Sequence, residues 1–138
     1  MSDTAAIVLA AGLSRRMGEF NKLLLHVGKD ILLTHVVSAC AAATDHPVTV
    51  VTGHQAQAVI DALAPAAVNV IHNSQFKEGQ MTSVDAGLRG APEARTYLIA
   101  LGDQAFLTAD DLRELLAAHH VQADGRITVP MVGAIRGN

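Results

Sequence analysis

The sequence predicts an α/β domain in which a mostly parallel sheet carries helices on both faces. Short apolar runs of strand length alternate along the chain with segments that have helical spacing. The strand segments are apolar almost throughout, which is typical of strands buried on both faces of a parallel sheet. Strand followed by helix, repeated in this way, is the pattern of a parallel α/β fold with right-handed crossovers.

The first half of the chain supplies two strands and one helix. Residues 5–10, AAIVLA, form a short apolar run that ends in small residues, as a buried strand does. Residues 31–43 have apolar groups on most faces and end in good helix formers, which favours a helix. Residues 48–52, VTVVT, are all β-branched and therefore predict a second strand.

Three elements follow in the middle of the chain. The spacing of Ala56, Val59, Ile60 and Leu63 is that of one helical face. Residues 68–72, VNVIH, predict the third strand. The next helix is indicated by apolar positions that share one face, and a glycine is expected to end it; these residues are Met81, Val84, Leu88 and Gly90.

The last elements are a fourth strand, a well-marked helix and a fifth, shorter strand. Residues 97–101, YLIAL, and residues 126–130, RITVP, have strand composition. Between them, Thr108 is placed to cap a helix with Asp111 three residues later. The leucines of this helix are expected to form a hydrophobic staple and its apolar face; they are Leu107, Leu112, Leu115 and Leu116.

Length and composition favour one domain over residues 1–138 and exclude some classes of partner. The net charge of −3 gives no general attraction to nucleic acid. No apolar run is long enough for a membrane span, and the start lacks the features of a signal peptide, so we expect a cytoplasmic protein. The single cysteine, Cys40, lies in an apolar helical stretch and is expected to be a core residue.

The loop after the first strand concentrates positive charge on small residues. Ligands of parallel sheets bind beyond the carboxyl ends of the strands. Gly12 allows close approach of a ligand to backbone amides, and Arg15, Arg16 and Lys22 add full charges suited to phosphate. A triphosphate would explain this set, whereas the alternative is a basic surface turn. The spacing matches neither a P-loop nor a dinucleotide fingerprint.

The loop after the third strand offers a surface for a flat ligand. Asn73 stands at the end of the strand, and Gly79 is expected to open a tight bend. A base can then lie against the backbone, with Ser83 as a hydrogen-bonding partner for the base or the ribose. The alternative is that Thr82 and Ser83 are ordinary hydroxyl caps at the start of a helix.

The fourth strand is followed by a carboxylate in Gly102-Asp103-Gln104. Mg²⁺ commonly binds one or two carboxylates together with substrate phosphates, so Asp103 is a candidate metal ligand facing the phosphate loop. The alternative is an aspartate that only forms a turn.

A metal enzyme built on the seven histidines is disfavoured. None of them forms an HExxH motif, and the adjacent pair His119-His120 would point in different directions on a helix. His54 follows a strand end and is a candidate to line the cleft.

The segment LAAGLSRRMGEFNKLLL at 9–25 resembles the signature of the MobA-like nucleotidyltransferase family, and within it the molybdenum-cofactor cytidylyltransferase branch. Supporting matches are VVTGH at 50–54, the N..F..G...SV..GL pattern at 73–88, LGDQ at 101–104 and the final RGN. The resemblance implies a three-layer Rossmann-like fold of the nucleotide-diphospho-sugar transferase type. It also implies Mg²⁺ on Asp103 and a nucleotide site formed by Ala10, Ala11, Gly12, Ser14, Arg15, Arg16, Lys22, Gly79 and Ser83.

The implied reaction moves a nucleoside monophosphate, CMP from CTP, onto a phosphate-bearing acceptor such as molybdopterin cofactor and releases pyrophosphate. Lys22, Arg16 and Asp103 would be the catalytic residues, and the AAG triplet at 10–12 favours the cytidylyl type. Two other functions stay open: an NAD(P)H-dependent oxidoreductase of the same fold, and an accessory protein that only binds the molybdenum cofactor.

The chain departs from the family pattern mainly on the acceptor side. Ala105 replaces the usual proline after GDQ, while Phe76 and Gln80 stand where tryptophan and methionine are frequent. The family continues beyond IRGN with elements that supply acceptor contacts and a second acidic metal ligand, so we expect a C-terminally truncated domain. An edge left bare by missing elements would favour a homo-oligomer.

Overall fold

A computed structural model describes residues 3–11, 26–27, 30–53, 56–63, 68–102, 108–122 and 127–128. Its main feature is a five-stranded sheet in the order β5-β4-β1-β6-β7 in which every neighbouring pair is parallel. A separate antiparallel pair is formed by β2 and β3. The strands are β1 (Thr4–Ala10), β2 (His26–Val27), β3 (Asp30–Ile31), β4 (Val48–Thr52), β5 (Val68–His72), β6 (Thr96–Leu101) and β7 (Ile127–Thr128).

Helices cover both faces of this sheet, which confirms the predicted three-layer α/β class. One apolar cluster joins β1 to three helices on one face and includes Val8, Leu33, Val59 and Leu112. The second cluster lies on the other face, where Val84 and Leu88 of a single helix pack against the sheet. The helices are α1 (Leu32–Ala43), α2 (Ala56–Leu63), α3 (Gln80–Gly90) and α4 (Ala109–Gln122).

The central strand β1 explains why the strand segments are apolar without alternation. Successive side chains of a strand point to opposite faces. Val8 accordingly belongs to the cluster under α1, α2 and α4, while Ile7 and Leu9 belong to the cluster under α3. Because both faces are covered, every residue of β1 is buried.

The predicted position of Met81 on the buried face of α3 is wrong. Its side chain is 73% exposed, whereas Ser83 and Gly87 are buried. A Cβ atom added to Gly87 would lie 2.6 Å from Ile7 Cγ2, so the glycine lets the helix approach the sheet closely. Met81 precedes Ser83 by two residues, about 200° around the helix, and therefore faces away from the sheet.

The predicted end of α3 at Gly90 is confirmed, with an added reason for glycine. The helix ends at this residue, and a Cβ atom there would lie 2.4 Å from Ile71 Cδ1 of β5. The neighbouring Ala91 N–H donates to the carbonyl of Gly87 at 2.9 Å. Absence of a side chain therefore allows the helix to close against the edge strand.

The predicted start of α4 is also confirmed. The Asp111 N–H donates to Thr108 Oγ1 at 3.1 Å, as an N-cap requires. Leu112 and Leu116 are buried on the inner side of the helix, and Leu115 is partly buried against them. Leu107, the expected partner in a staple, lies outside the described residues.

Replacing Thr108 with alanine is expected to lower the free energy of unfolding by about 1 kcal/mol, because a helix N–H loses its side-chain acceptor. Urea denaturation of the wild type and the variant measures this difference. Thr108→Ser keeps the acceptor and serves as the control. Equal stability of Thr108→Ala and the wild type would show that the cap does not contribute to the free energy of unfolding.

Cys40 lies fully buried in the cluster under α1. Burial raises the pKa of its thiol to about 12, so the thiol stays protonated at physiological pH. Its predicted place in the core is therefore confirmed.

Among the described helices, none has the length and apolar character needed to cross a membrane.

Candidate functional site

The carboxyl ends of β1 and β6 lie side by side at the centre of the sheet. From β1 the chain moves outward to β4 and β5, then returns to the other side of β1 to form β6. The pairing runs to the last residue of β6, where Leu9 is in register with Leu101 and accepts a 3.0 Å hydrogen bond from the Gly102 N–H. Such a reversal of strand order opens a crevice, and ligands of open α/β sheets bind there.

Two of the predicted site residues lie at this edge. Ala10 and Ala11 are each 1% exposed, and their side chains belong to the clusters on opposite faces of the sheet. A ligand beyond β1 would therefore meet the backbone of these residues rather than their methyl groups. The other candidates from this edge lie outside the described residues and remain predictions: Gly12, Ser14, Arg15, Arg16, Lys22, His54 and Asp103.

Gly53, just after β4, joins the ends of three strands into one surface. A Cβ atom added to Gly53 would lie 2.6 Å from Phe76 Cβ and 2.8 Å from Ala11 Cβ. The segments that follow β1, β4 and β5 therefore meet at a glycine. The sequence signalled this residue only through VVTGH at 50–54, because its neighbours are distant along the chain.

Gly79 lies in the turn between a short 3-10 helix, Phe76–Glu78, and α3. Its φ of 126° and ψ of 160° are accessible essentially to glycine alone. A Cβ atom there would meet no atom of the described residues within 4 Å, so glycine serves the backbone conformation and not packing against them. The predicted tight bend is confirmed.

Ser83 and Thr82 do not cap α3, so the alternative that they are caps is wrong. Asn73 Nδ2 donates to Ser83 Oγ and to Thr82 Oγ1, both at 2.9 Å, and Thr82 Oγ1 donates to the carbonyl of Gly79 at 2.6 Å. Ser83 is 4% exposed, and the contact of its hydroxyl with a nucleotide stays a prediction.

His72 is an exposed polar residue at this edge that the sequence reasoning did not single out. Its Nδ1 lies 3.2 Å from the hydroxyl of Thr52, which is fully buried at the end of β4. The register places Ala10, Thr52 and His72 in one row across the sheet. A lone histidine after an apolar run is a weak signal in a chain with seven of them.

The residues that directly follow the strand ends at this edge are uncharged. The residues directly after the four strand ends are Ala11, Gly53, Asn73 and Gly102. Within the residues that the structure describes, no group of three or more His, Cys, Asp and Glu side chains could hold a metal ion. The charged candidates at 12–22 and Asp103 lie outside the described residues and stay predictions.

Comparison with known proteins agrees with this architecture. Residues 6–138 match the MobA-like NTP transferase domain. The chain belongs to this family. The resemblance carried by the segment at 9–25 and by LGDQ at 101–104 is thereby confirmed.

Members of the MobA-like family and related enzymes resemble the chain over most of its length. It is 30% identical to the molybdenum cofactor cytidylyltransferase of Escherichia coli over 139 residues, which cover all of this chain and 69% of that protein. It is 32% identical to the bifunctional protein GlmU of Corynebacterium aurimucosum over 138 residues. That match covers 95% of this chain and 28% of GlmU, so the chain spans about a quarter of such relatives.

A solved structure resembles this MobA-like chain in fold as well as sequence. The nucleotidyl transferase from Methanothermobacter thermautotroptrophicus superposes with a TM-score of 0.75 at 31% identity. The superposition covers 83% of this chain and 57% of that protein. The parallel sheet with helices on both faces is therefore the architecture of a nucleotidyl transferase.

Proposed function

We propose that this chain transfers CMP from CTP onto a phosphate-bearing acceptor, such as molybdopterin cofactor, and releases pyrophosphate. The observation that carries the proposal is the adjacency of the carboxyl ends of β1 and β6. The cationic segment that contains Arg16 and Lys22 follows β1 in sequence, and Asp103 follows β6. These are the two parts that binding of a triphosphate with a metal requires.

The reaction needs charge stabilisation more than proton transfer. An acceptor phosphate oxygen, already anionic near neutral pH, attacks the α-phosphorus of CTP. A new P–O bond forms as the bond to the bridging oxygen of the β-phosphate breaks, and pyrophosphate leaves with that electron pair. In this proposal Lys22 offsets charge on the α-phosphate and Arg16 holds the departing pyrophosphate, with Arg15 as a further contact.

Mg²⁺ fits the chemistry of the proposed site. Asp103 offers a carboxylate oxygen, which is the type of ligand that this ion prefers. Phosphate oxygens of the triphosphate would supply further ligands. When bound, the metal would add positive charge next to the phosphates. The backbone at Ala10, Ala11 and Gly12, with Ser14, would then orient the nucleotide.

The identities of the base and of the acceptor are inferred from a short sequence motif and from the name of one relative. The AAG triplet at 10–12 favours cytidine, and the E. coli relative is named a cytidylyltransferase of the molybdenum cofactor. In this proposal the base lies over the Gly79 turn with Ser83 nearby. A cytoplasmic location agrees with a nucleoside triphosphate substrate.

Thermal unfolding with ligands tests the proposal directly. CTP with Mg²⁺ is expected to stabilise the chain by about 2.7 kcal/mol at a hundredfold excess over Kd, which raises Tm by several degrees. GTP with Mg²⁺, and CTP without the metal, should give much smaller shifts. A shift with NADPH alone would replace the proposal by an oxidoreductase. A shift with molybdopterin alone would favour an accessory protein that only binds the cofactor.

A further inference from the structure

Asn73 is a buried polar residue whose hydrogen-bonding groups all face protein. It is 5% exposed, and its backbone N–H continues the pairing of β5 with β4 by donating to the carbonyl of Thr52 at 2.7 Å. Its side-chain Oδ1 accepts from the Gln75 N–H at 2.9 Å. Since a backbone N–H can only donate, this contact fixes which end of the amide is oxygen.

Both donors of the Asn73 amide are also engaged. Nδ2 carries two hydrogens, and it has two acceptors at 2.9 Å, Thr82 Oγ1 and Ser83 Oγ. No donor of the side chain is left for a ligand. Asn73 therefore acts within the protein and is not itself placed to read a base.

The segment between Asn73 and Thr82 has little apolar burial of its own. Only Phe76 is partly buried between these two residues, and all its neighbours in the segment are exposed. Thr82 Oγ1 lies 2.6 Å from the carbonyl of Gly79 and 3.1 Å from that of Gln75. Polar ties from Asn73 through Thr82 thus hold the Gly79 turn in its unusual conformation.

We propose that Asn73 is a positioning residue that fixes the Gly79 turn through Thr82 and thereby sets the affinity of the site for nucleotide. That the ligand of this turn is a nucleotide rests on the proposed function. The tie between Asn73 and the turn rests on the hydrogen bonds alone. A preorganised turn binds more tightly because less conformational entropy is lost on binding.

Two variants break the tie from opposite ends, and one preserves it. Asn73→Ala removes the amide, Thr82→Val removes the hydroxyl with little change of shape, and Thr82→Ser keeps the hydroxyl. Hydrogen–deuterium exchange without ligand is expected to become about tenfold faster over residues 74–82 in the first two variants. Thr82→Ser should exchange like the wild type, as should the strands in every variant.

CTP titration with Mg²⁺ then measures the consequence for binding. Asn73→Ala and Thr82→Val should each raise the Kd for CTP about tenfold, and the double variant by clearly less than the product of the two effects, because both break the contact between Asn73 and Thr82. Thr82→Ser should bind as the wild type does. If Asn73→Ala does not fold, the difference in Kd for CTP between Thr82→Val and Thr82→Ser tests the proposal by itself.

Three results would overturn the assignment of Asn73: unchanged exchange over residues 74–82, additive effects on Kd, or weaker binding in Asn73→Ala with normal binding in Thr82→Val. The last would mean that Asn73 acts through Ser83 or on the nucleotide itself, and not through Thr82. A wild-type chain that binds no CTP refutes the proposed function. Faster exchange in both variants would then still support the tie between Asn73 and the turn.

Discussion

Replacing Lys22 or Asp103 with alanine is expected to lower turnover by about 10²–10³-fold while the chain remains folded. Each replacement removes a charge that the proposed reaction uses to stabilise the α-phosphate in the transition state, and loss of one such group typically costs this much. The expectation rests on the family motif and on the neighbouring ends of β1 and β6, because both residues lie outside the described residues.

Turnover is measured as pyrophosphate released from CTP in the presence of Mg²⁺ and molybdopterin, and Tm reports that each variant is folded. Two exposed charges provide matched controls, Arg89→Ala on α3 and Asp110→Ala at the start of α4. Within the described ranges, each of them forms an ion pair with a neighbour on its own helix, so activity should stay near that of the wild type. Near-normal turnover in Lys22→Ala or Asp103→Ala would contradict their catalytic assignment.

The sheet could be predicted because burial on both faces leaves a local record in the sequence. In β4, which is buried throughout, the run of β-branched residues starts and stops with the strand, so the predicted bounds, 48–52, are those observed. The predicted bounds of β5, 68–72, are also those observed. The cap of α4 was equally local, since Thr108 and Asp111 are three residues apart.

Features set by contacts between distant parts of the chain could not be predicted in the same way. The orientation of α3 depends on the close approach of Gly87 to Ile7, which apolar spacing alone does not reveal, so Met81 was placed on the wrong face. The pair β2 and β3 has only two residues in each strand, too few for any periodic signal. The charged candidates of the site were predicted from their position after the strand ends and from the family motif, since periodicity carries no information about them.

Gly53→Ala is the second substitution with a large expected effect, since it tests whether the three strand ends form one binding surface. The new Cβ atom would lie 2.6 Å from Phe76 Cβ and 2.8 Å from Ala11 Cβ. Both of those atoms are attached directly to backbone, so they cannot rotate away. Relief requires the segment after β5 to move relative to β1.

Two opposing contributions decide how Gly53→Ala changes stability. Overpacking typically costs about 1–3 kcal/mol, whereas replacing glycine by alanine recovers roughly 0.4–1 kcal/mol through the unfolded state. Since Gly53 does not have a positive φ, backbone strain adds nothing. We therefore expect a net loss of about 1–2 kcal/mol in the free energy of unfolding.

Gly53→Ala should weaken binding as well as stability. The Kd for CTP should rise by about tenfold or more, because displaced segments must be reordered when the nucleotide binds. Gly87→Ala is the matched control, because it crowds Ile7 in the same apolar cluster but away from the strand ends. Urea denaturation should show both variants destabilised, and CTP titration should show weaker binding in Gly53→Ala alone. If Gly53→Ala binds CTP as tightly as the wild type, the nucleotide does not depend on the surface that joins β1, β4 and β5.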